Sequence, residues 1–421
     1  MPLICFLWCH INKAVCRFDS QKSEITKFLM RFVMCYFFSY VFTCQALADS
    51  NDVFNVVLGS TYKHDSNVFR LSSGLQPAGA GAQRWDNILR TDIGFKINKN
   101  YSLQTFKIDY AYVLTKYNNA KFLDFNASNY KAAWLWSVTP SLKGNLSADR
   151  KVEIINYQDY RTTDSKNIRT TQAKVFDFDW SPHNNWHLLG GYTMMDSINS
   201  QTFLPETSFK LNMIDSGIMY SFSSASYVAL KLRHSNAENQ TVNFASFIGK
   251  GYIENEGVLN AFWALTGKSR VSSFFGYDIH TDKTFSLRDY SGYIGDINYA
   301  WDMSSKTNLT IDLSRKLSSF QTDYSSYSVL DTLSIKPTWS VTPKIIVGLN
   351  GQISKRDYLG NGPITSLKRV DNSLSYGMTI DWAPRNAMML GINAQYTDRS
   401  SNAVDATYSD FMAGINGKLI F

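Results

Sequence analysis

The residues that could catalyse a reaction are few, and their spacing does not favour catalysis. The 421 residues include six histidines, and His64-Asp65-Ser66 places the three side-chain types of a serine hydrolase side by side. Adjacent side chains on an extended chain point to opposite faces, so these three cannot form the relay that activates a serine. His183 and His187 flank a predicted turn, where nothing makes them converge on a metal ion. The sequence therefore predicts no catalytic, metal-binding or cofactor-binding residues.

The N-terminus has the order of regions found in a secretory signal peptide. Lys27 and Arg31 precede an apolar stretch, 32–43, and the small-residue cleavage site Ala46-Leu47-Ala48 follows it. The apolar stretch is too short to span a bilayer. We therefore expect export of the chain with cleavage after Ala48.

Cleavage there divides the chain into a leader, 1–48, and one mature domain, 49–421, with Met30 as an alternative start of the leader. All five cysteines fall within the leader: Cys5, Cys9, Cys16, Cys35 and Cys44. The mature chain then has no thiol for a disulfide, a metal site or a nucleophile, which suits passage through an oxidising periplasm. Its 37 basic and 33 acidic side chains leave a net charge of only +4, which argues against nucleic acid as a partner.

The mature chain repeats short segments in which apolar and polar residues alternate. Leu309, Ile311 and Leu313, for example, alternate with Thr310 and Asp312. Strand side chains alternate between faces, so each segment has one apolar and one polar face. The pattern recurs in the segments 106–114, 176–180, 228–233, 293–302 and 345–353. A soluble β-sandwich would share this alternation, so the connections between segments must distinguish the two classes.

Short and long connections alternate along the chain. The eight short ones are Asn98-Lys99-Asn100, Thr139-Pro140-Ser141, Ser181-Pro182-His183, Ser224-Ala225, Thr266-Gly267-Lys268, Ser304-Ser305-Lys306, Thr342-Pro343 and Ala383-Pro384-Arg385. Between them lie polar stretches of roughly 8 to 22 residues, as in bacterial barrels with short periplasmic turns and long outer loops. Eight turns and nine loops predict an all-β fold: a transmembrane antiparallel up-and-down β-barrel of about 18 strands (16–18) in the bacterial outer membrane.

Aromatic residues mark one rim of this barrel and its last strand. Six of the ten tryptophans lie at or just before a short turn: Trp136, Trp180, Trp263, Trp301, Trp339 and Trp382. Tryptophan favours the membrane interface, so we predict an aromatic girdle at the periplasmic rim. The final segment ends in Phe421, which resembles the signal that outer-membrane proteins present to their assembly machinery. We therefore expect two partners, the outer-membrane assembly machinery and outer-membrane lipid.

Charged residues on the polar faces are the candidate lining of the lumen. They are Lys107, Asp109, Asp177, Asp179, Lys231, Arg233, Asp296 and Asp312. A barrel of this size has an interior wide enough for water. An inner wall with both positive and negative side chains suits hydrated cargo of little net charge. Salt bridges that merely satisfy inward charges would explain the same residues equally well. The first long loop, 66–85, contains Gly74, Gly79 and Gly81 and is the predicted constriction, because glycine would permit inward folding.

Several short motifs occur in order along the mature chain. They are Asp65-Ser66-Asn67-Val68-Phe69-Arg70, Ala132-Ala133-Trp134-Leu135-Trp136, Leu146-Ser147-Ala148-Asp149-Arg150, Trp186-His187-Leu188-Leu189-Gly190-Gly191, Leu265-Thr266-Gly267-Lys268-Ser269, Asp331-Thr332-Leu333-Ser334, Pro337-Thr338-Trp339 and Asp381-Trp382-Ala383-Pro384. Together they resemble the EpsL family, outer-membrane barrels associated with exosortase-B extracellular-polysaccharide loci. The resemblance implies a role in polysaccharide production or export, with exopolysaccharide and other export components as partners. It supplies no catalytic motif.

The sequence thus predicts a barrel that takes part in exopolysaccharide export without catalysis or a cofactor. A general diffusion porin is the first alternative, since it would pass small solutes regardless of polymer. A barrel enzyme that trims polysaccharide with an inward carboxylate, such as Asp177 or Asp296, is the second. A surface anchor for matrix is a third, since it would bind polymer and conduct nothing.

Overall fold

The structure is a computed structural model that describes residues 52–78, 82–155, 157–159, 164–183, 185–201, 206–243, 248–320, 325–360 and 368–421. The predicted leader, with its signal peptide and cleavage site, lies outside these residues. No helix within the described ranges is long and apolar enough to span a membrane. Within these residues, three short 3-10 turns occur at Lys121–Leu123, Ser286–Arg288 and Val404–Ala406.

Eighteen antiparallel strands follow one another around a single closed sheet. They are β1 (Phe54–Asp65), β2 (Asp86–Tyr101), β3 (Gln104–Tyr117), β4 (Phe125–Thr139), β5 (Leu142–Ile154), β6 (Ile168–His183), β7 (Trp186–Asn199), β8 (Phe209–Ser221), β9 (Tyr227–Asn239), β10 (Gly251–Thr266), β11 (Ser269–Asp282), β12 (Tyr290–Asp302), β13 (Thr307–Ser319), β14 (Tyr327–Thr342), β15 (Ile345–Leu359), β16 (Val370–Arg385), β17 (Met388–Ser401) and β18 (Tyr408–Ile420). Each strand pairs with the next in sequence. The predicted up-and-down barrel of about 18 strands is confirmed.

The barrel closes where the last strand pairs with the first. Val57 on β1 lies opposite Ile420 on β18. The N–H of Val56 donates to the carbonyl of Phe421 at 2.7 Å, and the N–H of Phe421 donates back at 2.9 Å. Closure pairs both edges of the described sheet, which lets the sheet exist in lipid.

The two ends of the barrel differ in their connections, as the sequence predicted. Eight short turns close hairpins at one end, which we call the short-turn end, and nine longer connections lie at the other, the long-loop end. Three predicted turns are placed too early. Asn98-Lys99-Asn100 still pairs with β3, and Ser181-Pro182-His183 and Ala383-Pro384-Arg385 lie at the ends of β6 and β16. Register shifts after Trp180 and Trp382 leave Pro182 and Pro384 outside the regular ladder, where a missing N–H costs little.

Alternate residues of every strand form an apolar outer face. Ile93, Leu232 and Ile415 are 51%, 60% and 59% exposed on it. Apolar surface of this extent around a whole barrel requires lipid rather than water. All six tryptophans of the predicted girdle alternate onto this face at the short-turn end: Trp136, Trp180, Trp263, Trp301, Trp339 and Trp382. Their assignment to the periplasmic interface remains a prediction.

One tryptophan of this group lies against a glycine on the adjacent strand. Gly144 on β5 lies directly opposite Trp136 on β4. A Cβ atom at Gly144 would lie 2.5 Å from Cζ2 of the Trp136 ring and would also collide with the carbonyl oxygen of Asp177. Glycine is therefore required there for the indole to lie across the strand.

Candidate functional site in the barrel interior

A continuous polar row crosses seven neighbouring strands on the inner face. Each member lies directly opposite the next: Asn145, Asp177, Gly191, Asp215, Arg233, Glu256 and Asp278. Register creates this row, because each strand contributes only one residue to it. Along the pairing direction, the inner wall from β5 to β11 therefore carries five charged residues at seven consecutive paired positions.

The eight predicted lining residues alternate with the outer apolar residues and thus lie on the inner face. Four of them form ion or histidine–carboxylate pairs: Lys96–Asp109 at 2.9 Å, His187–Asp179 at 2.6 Å, Arg233–Glu256 at 2.9 Å and Lys336–Asp312 at 3.1 Å. Asp177 accepts a hydrogen bond from Asn145 at 3.2 Å. Among the described residues, Lys107, Lys231 and Asp296 form no ion pair. The wall therefore combines mutually satisfied charges with charges that remain available to cargo.

The third long loop, between β5 and β6, reaches the far side of the barrel. Its Asp159 carboxylate lies 3.1 Å from Arg356 Nη1 on β15, 3.5 Å from Arg369 Nη2 in the following loop and 3.4 Å from Arg399 Nη2 on β17. Tyr358 on β15 also donates to it, at 3.5 Å. A residue between β5 and β6 can meet strands on the opposite side of the ring only by crossing the interior.

We call the three arginines the arginine cluster, and a carboxylate on β16, Asp371, pairs with two of them. Asp371 accepts two hydrogen bonds of 3.0 Å from Arg369 and a further one from Arg399. Arg399 is completely buried and Asp371 is 3% exposed. The Nε atoms of Arg356 and Arg399 are buried without a hydrogen-bond partner. Three cations and two anions therefore meet in a poorly hydrated place, where their interactions are stronger than at a surface.

Apolar side chains from three loops support this crossing loop. Val68 and Phe69 of the first long loop, Leu123 of the second, and Ile155 and Tyr157 of the third form one buried cluster. The Phe69 and Tyr157 rings meet edge to face, with centroids 5.2 Å apart. Packing of the first and third loops against one another holds Asp159, two residues beyond Tyr157, near the arginine cluster.

The first long loop is itself fastened to the seam of the barrel. Arg70 donates to Asp65 on β1 at 2.8 Å and lies 3.2 Å from Asp410 on β18. Burial works against the charged form of Arg70, but the hydrogen bond and charge of Asp65 outweigh it and raise the pKa of Arg70. The motif Asp65-Ser66-Asn67-Val68-Phe69-Arg70 is therefore a loop anchor, which its sequence did not reveal.

The first loop was the predicted constriction, but the described contact across the interior belongs to the third. Gly79 and Gly81 lie outside the described residues, and Gly74 has a positive φ of 88°. The four residues of the crossing contact, Asp159, Arg356, Arg369 and Arg399, were all missed by sequence reasoning. Between 197 and 240 positions separate Asp159 from its three arginine partners, and no local pattern links positions that far apart.

The structure also brings together a histidine relay that sequence reasoning missed. His187 Nδ1 lies 2.6 Å from Asp179, and its Nε2 lies 3.3 Å from Ser221 Oγ on β8. These are the contacts of a Ser-His-Asp nucleophile. The N–H of Ser221 already donates to the carbonyl of Asn185 at 2.8 Å, so it cannot stabilise an oxyanion. His64 and Asp65, by contrast, diverge to Asn87 and Arg70, as predicted.

The closed 18-strand barrel, its apolar exterior and its charged interior define a porin-like β-barrel of the bacterial outer membrane. The sequence model of the family described as "Putative beta-barrel porin 2" matches residues 264–419, which extend from the end of β10 into β18. The expected outer-membrane localisation is confirmed.

Two solved structures share this fold at low sequence identity. OpdQ of Pseudomonas aeruginosa is 10% identical, with a TM-score of 0.50 over 87% of this chain and 98% of that one. A BenF-like porin of Pseudomonas fluorescens Pf-5 is 8% identical, with a TM-score of 0.50 over 88% and 99%. At such identities the likeness concerns the fold alone. Among curated protein sequences, none matches the chain.

Proposed function

We propose that this barrel takes part in exopolysaccharide export and passes polymer through its polar lumen without reacting with it. The proposal is carried by the Asp159 contact with arginines on the far side of the barrel, from which we infer a charged constriction at the long-loop end. The resemblance of the ordered motifs to the EpsL family supports polysaccharide as the cargo. The inner wall, with charges of both signs, supports passage of a hydrated chain.

We infer that the constriction opens by release of Asp159, which a loop carries, from arginines that the barrel wall holds. The contacts between Asp159 and the arginine cluster measure 3.1 to 3.5 Å. The strands fix Arg356 and Arg399, whereas Asp159 belongs to a loop. Polymer that enters from the short-turn end would displace Asp159, and hydroxyl or carboxylate oxygens of the sugars would then hydrogen-bond the arginines.

Polymer location in cells with and without the gene tests the proposal. Deletion should make polymer accumulate in the periplasm while surface polymer falls, and restoring the gene should reverse both changes. A second strain, in which the deleted gene is replaced by the Asp159→Ala variant, contains the barrel with a weakened constriction. Comparing it with the deletion strain distinguishes loss of the barrel from loss of the Asp159 contact. Unchanged amounts of total and surface polymer after deletion would reject a role in export.

The rival transport function is a general diffusion porin. It is supported by the description of the matching family and by the fold shared with porins. Such a porin would leave polymer unaffected, and its deletion would slow uptake of small solutes. Uptake of a neutral sugar and of a sugar acid, measured in the same strains as the polymer, therefore distinguishes the two transport functions.

An enzyme that modifies polymer is the other candidate, and the Asp179–His187–Ser221 contacts favour it. Ser221 Oγ would attack an ester carbonyl on the polymer while His187 takes its proton and then returns it to the leaving alcohol. Water would hydrolyse the resulting acyl-enzyme. A fluorophosphonate probe should label the detergent-purified protein but not Ser221→Ala if this function is real. Labelling of neither protein leaves Ser221 as part of a structural network.

A further inference from the structure

Three carboxylates converge on the inner face of β10 and β11, away from the arginine cluster. Glu254 and Glu256 lie two residues apart on β10 and so share a face, and Asp278 on β11 lies directly opposite Glu256. One oxygen atom of each lies within 4.8 Å of one oxygen of both others. Like charges placed directly opposite each other destabilise a strand pair, so this arrangement needs compensation. We call these three residues the carboxylate cluster.

The neighbouring cations compensate only part of this negative charge. Arg233 on β9 lies 2.9 Å from Glu256. His280 Nδ1 lies 3.3 Å from Glu254. The imidazole stacks on Tyr290 at a centroid distance of 4.3 Å and lies against the tilted ring of Tyr252 at 4.4 Å. This stacking fixes the imidazole beside Glu254 and keeps it from turning towards Asp278.

Asp278 is the member of the cluster that forms no ion pair with any described residue, whereas Glu256 and Glu254 lie beside Arg233 and His280. Asp278 is 3% exposed. Its Oδ1 atom is buried and has no hydrogen-bond partner in the described structure. A buried polar atom without a partner costs free energy, and a buried carboxylate oxygen costs more than a neutral one. Asp278 thus brings a buried carboxylate with one unpartnered oxygen into a group with two further carboxylates.

We propose that the carboxylate cluster binds a divalent cation, Ca²⁺, inside the barrel. Calcium binds carboxylate oxygens at about 2.3–2.6 Å, so oxygens on opposite sides of one ion lie about 4.6–5.2 Å apart. The three oxygens lie within 4.8 Å of one another, so a single ion can reach all three. Three carboxylates and Arg233 sum to two negative charges, which one Ca²⁺ neutralises. Water completes the coordination shell, since calcium accepts six to eight oxygen ligands.

The site joins two strands and is independent of the cargo. A cation between Glu256 and Asp278 would replace a repulsive cross-strand pair by a bridge between β10 and β11. Sequence reasoning predicted no metal site, because 22 positions separate Glu256 from Asp278 and only the register brings them together.

Calcium titration of the detergent-refolded full chain tests the site, after EDTA treatment and at constant ionic strength. The wild type should show a saturable rise in Tm, and calorimetry should show one Ca²⁺ bound per barrel. Asp278→Asn should lose the calcium-dependent shift. In EDTA the same variant should melt above the wild type, because one repulsive charge is gone. The variant should thus have the higher Tm in EDTA and the lower Tm in saturating calcium. A merely structural carboxylate would not reverse the order of the two Tm values.

Glu238→Gln is the matched control, since Glu238 lies on β9 with its side chain exposed on the outer face. It removes the same charge and should keep the full calcium response. A wild type without saturable calcium binding overturns the proposal, as does an Asp278→Asn variant that responds like the wild type. If Asp278→Asn does not refold, wild-type calorimetry and the Glu254→Gln variant decide between these outcomes.

Discussion

Asp159, between β5 and β6, lies 3.4 Å from Arg399 on β17, although 240 positions separate them in the sequence. The contact spans the interior and ends on a completely buried guanidinium. Arg399 also lies next to Asp371, so one cation serves a fixed carboxylate on the wall and a second on a loop. This division allows the loop carboxylate to leave while the arginine keeps a partner.

Replacing Asp159 should open the constriction. Asp159→Asn keeps the size of the side chain but removes its charge, so the arginine cluster loses its link to the third loop. We expect higher single-channel conductance in planar bilayers and a shift of ion selectivity towards anions, because three arginines then face one carboxylate. Asp357→Asn, which removes an acidic side chain from the outer face of β15, should leave both properties unchanged. Wild-type conductance in Asp159→Asn would show that the contact does not limit the pore.

The barrel could be predicted from sequence because its determinants are local. Alternation within strands and the alternating lengths of connections fix strand number without knowledge of any distant contact. Turn positions were less certain, since bulges next to Pro182 and Pro384 extend strands past residues that normally end them. From sequence alone, a proline near the end of a strand predicts a turn, because the bulge that accommodates it is seen only in the structure.

The interior could be predicted only in part, because local patterns do not report contacts between distant segments. Alternation is enough to assign Asp177 or Lys231 to the polar face. It cannot show that Asp278 meets Glu256, which depends on register, or that Asp159 meets Arg399, which depends on the path of a loop. The Asp159 contact and the carboxylate cluster are both formed by residues from distant segments, so sequence alone could not locate either.

Gly144→Ala should destabilise the short-turn end of the barrel. The added methyl group would meet the Trp136 ring and the backbone of Asp177, so the indole has to move. We expect a loss of about 1–3 kcal/mol in the free energy of unfolding, typical of overpacking, with altered tryptophan fluorescence. Gly267→Ala is the control, since nothing lies within 4 Å of its added Cβ. Equal stability of the two variants would contradict a close Trp136–Gly144 contact.

Phe421→Ala should reduce assembly in cells more than stability in detergent. The backbone of Phe421 forms two hydrogen bonds with Val56, and the substitution keeps both. If the terminal aromatic ring is the assembly signal, the amount of folded barrel in the outer membrane should fall several-fold while the refolded protein keeps its Tm. Phe411→Ala removes an exposed ring from the outer face of β18, the strand that Phe421 follows, and should not reduce assembly. A fall in Tm that matches the loss in cells would assign Phe421 a structural role instead.

Arg399→Ala and Arg315→Ala should differ in stability although each breaks an arginine–aspartate pair. Arg399 is completely buried, and its loss leaves Asp371 with one guanidinium fewer in a poorly hydrated place. Breaking such a buried pair costs about 3–5 kcal/mol. Arg315 also makes two good hydrogen bonds to Asp331, both 2.7 Å, but its side chain is 53% exposed, and exposed pairs contribute about 0–1 kcal/mol. Urea unfolding of both variants in the same detergent measures the difference. Comparable losses would mean that water or lipid headgroups reach Arg399, so that the arginine cluster is a hydrated surface rather than a buried constriction.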